Sequence, residues 1–179
     1  MTRYIALLRA INVGGHNVKM DHLRRLFEEL AFSNVETFIA SGNVIFESSE
    51  TSTSTIEQAI EAHLRSALGY NVATFIRSSS ELADIARYEP FPSADIAKEG
   101  TSLYIAFLQK PPSDAALELL MAFRTDADDF HVHGREVYWL CRTRMSDSLF
   151  SGALLEKTFK MQATLRNSTT VKKLAEKYA

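Results

Sequence analysis

A chain of 179 residues, 46% hydrophobic and 23% charged, has the size and composition of one globular domain or two small ones, and needs no covalent staples to bury a core. Its 20 basic and 22 acidic residues leave a formal charge of −2, which argues against nucleic-acid binding by bulk electrostatics. Cys141 is the single cysteine, so no intramolecular disulfide forms; no apolar run approaches the ~20 residues of a membrane span, the first residues lack a signal peptide's layout, and the expected compartment is the cytoplasm.

In chain order, residues 4–8 form a short apolar run that reads as a buried central strand. A polar, glycine-bearing loop follows. Asp21 is then placed to cap a helix whose Leu23, Leu26, Phe27 and Leu30 recur at helical spacing. Residues 35–40 and 44–47 are β-rich runs around Ser41-Gly42-Asn43, a hairpin signal. Ser54 and Glu57 match a capping box ahead of Ile56, Ile60, Leu64 and Leu68, with Gly69 as the stop, and residues 72–77 return to a strand. The order is βαββαβ, a ferredoxin-like unit over residues 1–78.

Residues 79–179 read as a partial repeat. Ser78 with Glu81 opens a short helix through Leu82 and Ile85, ended by Pro90 and Pro92. Residues 103–108 form a strand, and Pro111-Pro112-Ser113 introduces a helix carrying Leu117, Leu120 and Met121. Residues 130–132 and 137–141 flank a turn at His133-Gly134-Arg135, so that Phe38/Phe130 and Gly42/Gly134 keep one spacing between two hairpins. Two C-terminal helices close the chain, one with Leu154 and Leu155, the last with Val171, Leu174 and Tyr178. The expected fold is α+β: duplicated ferredoxin-like βαββ units, with antiparallel sheets and helices packed on one face. One shared sheet and two separate sheets fit the pattern equally.

The segments YIALLRAINVGGHNVKM at 4–20, SGNVIF at 41–46, GREVY at 134–138 and ATLRNSTTVKKL at 163–174 closely resemble the family called domain of unknown function 1697. The resemblance spans almost the whole chain and implies no known activity. Three places depart from the family pattern. Ala10 stands where R-G-I-N-V-G-G is usual, Ser168 where R-N-W-N-T has tryptophan, and Met145 to Phe150 where a G-x-S-K-L segment supplies a lysine. A ligand that touches the missing residues would be bound weakly here, or exchanged for another.

Strands one and two of a βαββ unit run parallel, so the loop after the first and the hairpin after the second share one sheet edge. Arg9, Asn12, Lys19, Ser41 and Asn43 are thereby expected to converge, with Gly14 and Gly15 letting backbone N–H groups approach a ligand at a helix N-terminus. That combination suits a phosphate or carboxylate. The competing reading is local: Gly-Gly permits φ > 0 and Ser-Gly-Asn makes a good turn. The loop is neither a phosphate-binding P-loop nor a dinucleotide fingerprint. Arg166 and Asn167, ahead of a helix with Lys172 and Lys173, form a second candidate anion site, against a plain capped surface helix.

His131 and His133 share a strand face but lack a placed third ligand, Cys141 lacks a base, and His16 lacks a partner, so no catalytic constellation is identified. The function expected is a cytoplasmic module for a small anionic ligand, a nucleotide or phosphorylated metabolite. An enzyme using the same cleft is the alternative, and a sheet-surface nucleic-acid binder ranks third, because the RNP signature is absent. Neither metal nor cofactor nor membrane is expected.

Overall fold

Each half of the chain arranges its apolar runs as a four-stranded antiparallel sheet whose two crossover helices pack on one face, in a computed structural model that describes residues 1–40 and 42–179. The first sheet contains β1 (Thr2–Leu8), β2 (Ser33–Phe38), β3 (Asn43–Ser48) and β4 (Thr74–Ser78) in the order β2-β3-β1-β4. Helices α1 (Met20–Glu28) and α2 (Thr53–Leu68) make the crossovers. The second sheet contains β5 (Ser102–Phe107), β6 (Asp128–His133), β7 (Glu136–Cys141) and β8 (Thr164–Asn167) in the matching order β6-β7-β5-β8. Its crossover helices are α5 (Asp114–Met121) and α6 (Gly152–Phe159), while α3 (Ser79–Arg87) and the single turn α4 (Ser93–Ile96) precede it. Helix α7 (Ser168–Tyr178) follows β8. Two compact units result: Met1–Asp84 with Leu174–Ala179, and Ile85–Lys173.

Strand alternation explains the first unit. Ala6, Leu8, Val44, Phe46 and Ile76 pack beneath Leu23, Leu26 and Phe27 of α1 and Ile56, Ile60 and Leu64 of α2. The residues between them, Ile5, Leu7, Ile45 and Phe75, are buried too. Strands buried on both faces read as unbroken apolar runs, which is why residues 4–8 show no alternation. In the second unit Ala106, Val137, Trp139 and Cys141 pack with Leu120, Leu155 and Phe159. The Trp139 indole donates to Asp128 Oδ1 at 2.8 Å, and Asp128 Oδ2 accepts from Ser148 at 2.8 Å, so the buried carboxylate is held on both oxygens.

Strand β4 lies at a sheet edge, where alternate N–H groups have no strand partner. Glutamates accept from three of them: Glu61 from Thr74 at 2.9 Å, Glu57 from Ile76 at 3.0 Å and Glu81 from Ser78 at 2.7 Å. This corrects the expected capping box at Ser54 and Glu57. Ser52 caps α2, accepting from Thr55 N, because the buried Glu57 is turned toward β4. Asp21 is likewise not the cap of α1: the helix starts two residues earlier than that cap would place it, with Lys19 at the cap position, and Asp21 sits in its first turn. The capping box at Ser78 and Glu81 does form.

The second unit extends the expected βαββ by one strand. Four residues long and carrying Arg166 and Asn167, β8 has no strand signature, yet it pairs antiparallel with β5 and completes βαββαβ. The equal spacing of Phe38/Phe130 and Gly42/Gly134 does not mark equivalent residues. Phe38 ends β2 opposite Asn43, whereas Phe130 sits within β6 opposite Trp139.

Gly42 adopts φ +81°, and a Cβ there would lie 2.7 Å from Ile11 Cγ2 and 3.1 Å from Leu8 Cβ. Gly14 has φ +66° and nothing within 4 Å. Gly42→Ala is therefore expected to cost about 2–4 kcal/mol, from left-handed strain plus overpacking, and Gly14→Ala about 1 kcal/mol from strain alone. Urea unfolding of the two variants checks the difference.

Candidate functional site

The loop of residues 9–19 is bound to the hairpin after β2, as the parallel course of β1 and β2 requires. Leu8 N donates to Gly42 O at 2.8 Å and Arg9 N to Ala73 O at 2.9 Å, so the end of β1 is gripped from both sides. Asn12 joins the segments: its Nδ2 donates to Ala40 O at 3.1 Å and its Oδ1 accepts from Val18 N at 2.7 Å. Asn43 is fully buried and closes the hairpin by donating to Phe38 O at 3.0 Å. Both amides thus serve backbone partners, and the half-buried Arg9 belongs to the same stitched edge. Ser41, assigned to this site from sequence, lies outside the described residues.

The exposed part of the loop is different. Gly14 and Gly15 have φ +66° and +86° with open space where side chains would stand, so the turn's conformation, not a close approach, calls for glycine there. Lys19 is exposed and extended, and α1 begins without a side-chain cap. Gly15, His16, Lys19, His22 and Tyr70 border an open depression of about 520 Å³. The His16 ring stacks on Tyr70 at 3.7 Å with 17° between planes, and the Tyr70 hydroxyl donates to Ile11 O at 3.2 Å. Burial pushes the Tyr70 phenol above its ordinary value, which keeps it a neutral donor. Of the residues grouped from sequence, Gly15 and Lys19 reach this depression, while Asn12 and the Arg9 amide hold the loop that forms it and Asn43 closes the neighbouring hairpin. His22 and Tyr70 escaped sequence reading, since each looks like ordinary helix or helix-end surface.

Arg166 and Asn167 separate. Arg166 is not an exposed residue ahead of a helix; it stands in β8 opposite Ile105, 8% exposed. Its Nη1 donates to Thr164 Oγ1 at 2.8 Å and Leu165 O at 2.9 Å. Burial lowers its pKa to about 10, so the guanidinium remains charged at neutral pH and acts as scaffold. Asn167 caps α7, its Oδ1 accepting from Thr169 N at 3.0 Å.

His131 and His133 face a tyrosine: Tyr88 shares a 2.7 Å hydrogen bond with His131 Nε2 and stacks on His133 at 4.1 Å. Among the described residues no three His, Cys, Asp or Glu side chains are placed to hold a metal ion. Cys141 is buried with its Sγ 3.1 Å from Thr143 O. The strand aromatics, from Tyr4 to Trp139, are buried or half-buried, so none offers the exposed stacking platform of a sheet-surface RNA binder.

A family model described as protein of unknown function (DUF1697) matches residues 1–138. The structure is similar to that of the conserved bacterial protein SP0830 from Streptococcus pneumoniae, with a TM-score of 0.79 at 22% identity over 99% of both chains. That likeness shows a shared fold. No curated protein matches the chain.

One departure from the family pattern has a structural consequence. Ala10, where glycine is usual, has φ +55°, a left-handed conformation that costs an L-residue about 1–2 kcal/mol. Ala10→Gly is expected to raise stability by about 0.5–1 kcal/mol after the added freedom of the unfolded chain is deducted. Asn12→Ala should lower it by about 1–3 kcal/mol, and Lys19→Ala should change it by less than about 0.5 kcal/mol. Denaturant midpoints of the three variants test this division between scaffold and surface.

Proposed function

The chain belongs to the DUF1697 family, and on that premise we propose that it is a cytoplasmic module that binds a small anionic ligand, a nucleotide or another phosphorylated metabolite, at the loop between β1 and α1. The observation that carries this reading is the start of α1: a helix N-terminus with no side-chain cap, at a depression bordered by Lys19, His16 and His22. First-turn amides carry partial positive charge and suit an oxyanion, and a lysine adds a point charge beside them. Asp21 in the first turn works against an anion, so the ligand must be held mainly by Lys19 and the backbone of the glycine turn. Asn12 contributes by holding that turn against the hairpin, and the Arg9 amide by anchoring the loop's start to Ala73 O. Among the described residues, no helix is long and apolar enough to cross a membrane.

Charged hydrogen bonds to an oxyanion are each worth about 1.5–3 kcal/mol, so Lys19→Ala should weaken binding by roughly tenfold to a hundredfold without lowering the melting temperature. Calorimetric titration with inorganic phosphate, pyrophosphate and ATP measures this directly. Absence of saturable binding for all three at millimolar concentration, or equal affinity in wild type and Lys19→Ala, would refute the reading.

A further inference from the structure

The second unit contains a cavity of about 550 Å³, within the range of roughly 300–1,000 Å³ typical of small-molecule sites. Ile105 and Tyr138, paired across β5 and β7, line it from the sheet, and Tyr88 and Phe91 from the segment after α3. Ser168 and Lys172, one helical turn apart on α7, supply a polar end. We propose that this cavity binds a small aromatic molecule bearing one carboxylate or phosphate, with its ring against Tyr88 and Phe91 over the buried Tyr138 and its anion at Ser168 and Lys172.

The aromatic wall is formed in advance. The Tyr88 hydroxyl bonds to His131 at 2.7 Å, its ring lies on His133 with 14° between planes, and Tyr138 is 5.3 Å away. The Tyr138 hydroxyl donates to Ile85 O at 3.3 Å. Both phenols therefore have partners within the unit; Tyr138 is almost wholly buried and backs the wall, while the half-buried Tyr88 and Phe91 leave ring surface for a ligand, and little ordering remains to oppose binding. The opposite end has the other character. Lys172 is exposed, and with Arg87 it places two cations on the lining against one carboxylate, Glu89. The first turn of the eleven-residue α7, already organised by the Asn167 cap, adds its partial positive charge on the same side. A cavity lined by aromatic rings and by more cations than carboxylates favours an amphipathic anion over a neutral arene or a bare ion. This site uses none of the residues of the β1–α1 loop and stands independently of that reading.

The test is calorimetry on the full chain with 1-naphthyl phosphate, 1-naphthoate, 1-naphthol and inorganic phosphate. At least one of the two aryl anions should bind one to one, about tenfold or more tighter than naphthol, and Lys172→Ala should remove about tenfold of that affinity while Lys19→Ala leaves it unchanged. Ala97→Trp, at an exposed position lining the cavity, should abolish binding with the melting temperature preserved. Binding of naphthol as tight as that of the anions, no binding of either aryl anion, or loss with Lys19→Ala in place of Lys172→Ala would overturn the proposal; the last result would move the aryl anion to the first unit's loop. Should Ala97→Trp fail to fold, amide shift mapping on the wild type decides, with shifts at Tyr88, Ile105, Tyr138 and Ser168 supporting the site and shifts confined elsewhere refuting it.

Discussion

Asn12 holds two segments with one side-chain amide, and the loop edge of the first unit is organised around it. Its oxygen takes the N–H of Val18, which sets where the chain enters α1, and its nitrogen takes the carbonyl of Ala40 in the neighbouring hairpin. Gly42 completes the contact, accepting from Leu8 N and packing so closely on Ile11 that a side chain would not fit. The stitch leaves residues 13–17 exposed as the part of the loop free of that packing. A rigid base with an exposed turn is the usual arrangement of a ligand loop, because precision comes from the scaffold and contact from the turn.

The two units share a topology but meet their polar requirements differently. In the first, carboxylates from α2 and α3 accept the edge amides of β4 and complete that edge of the sheet. In the second, Asp128 joins Trp139 to Ser148, and Arg166 bonds to Thr164 and the Leu165 carbonyl. Loss of a buried polar group of this kind is costly, since it leaves a partner without a replacement. A repeat of topology without repeat of such devices explains why the halves show so little residue-level correspondence.

The departures from the family pattern take on physical meaning at one position in particular. A glycine usual beside Arg9 fits the positive φ found there, and this chain keeps the conformation with alanine. The loop path is thus maintained against a local preference, which implies that the surrounding bonds at Leu8, Arg9 and Asn12 determine it.

The strand and helix order apart from β8, the duplicated α+β architecture and the meeting of the β1 loop with the β2 hairpin were legible in the sequence, because apolar period, glycine and proline placement, and crossover geometry are local or topological properties. Hydrogen-bond assignment was not. Asn12, Asn43 and Arg166 are polar residues in polar-looking stretches, and one-dimensional pattern cannot distinguish a side chain that serves a ligand from one that serves the backbone across a turn. For the same reason Glu57 read as a cap although it accepts from β4, and β8 read as a helix approach although it pairs with β5. The depression at His16, Lys19, His22 and Tyr70 and the cavity at Tyr88 and Lys172 join residues far apart in the chain. Only the tertiary structure decides such sites, because their composition follows from which surfaces the packed helices leave uncovered.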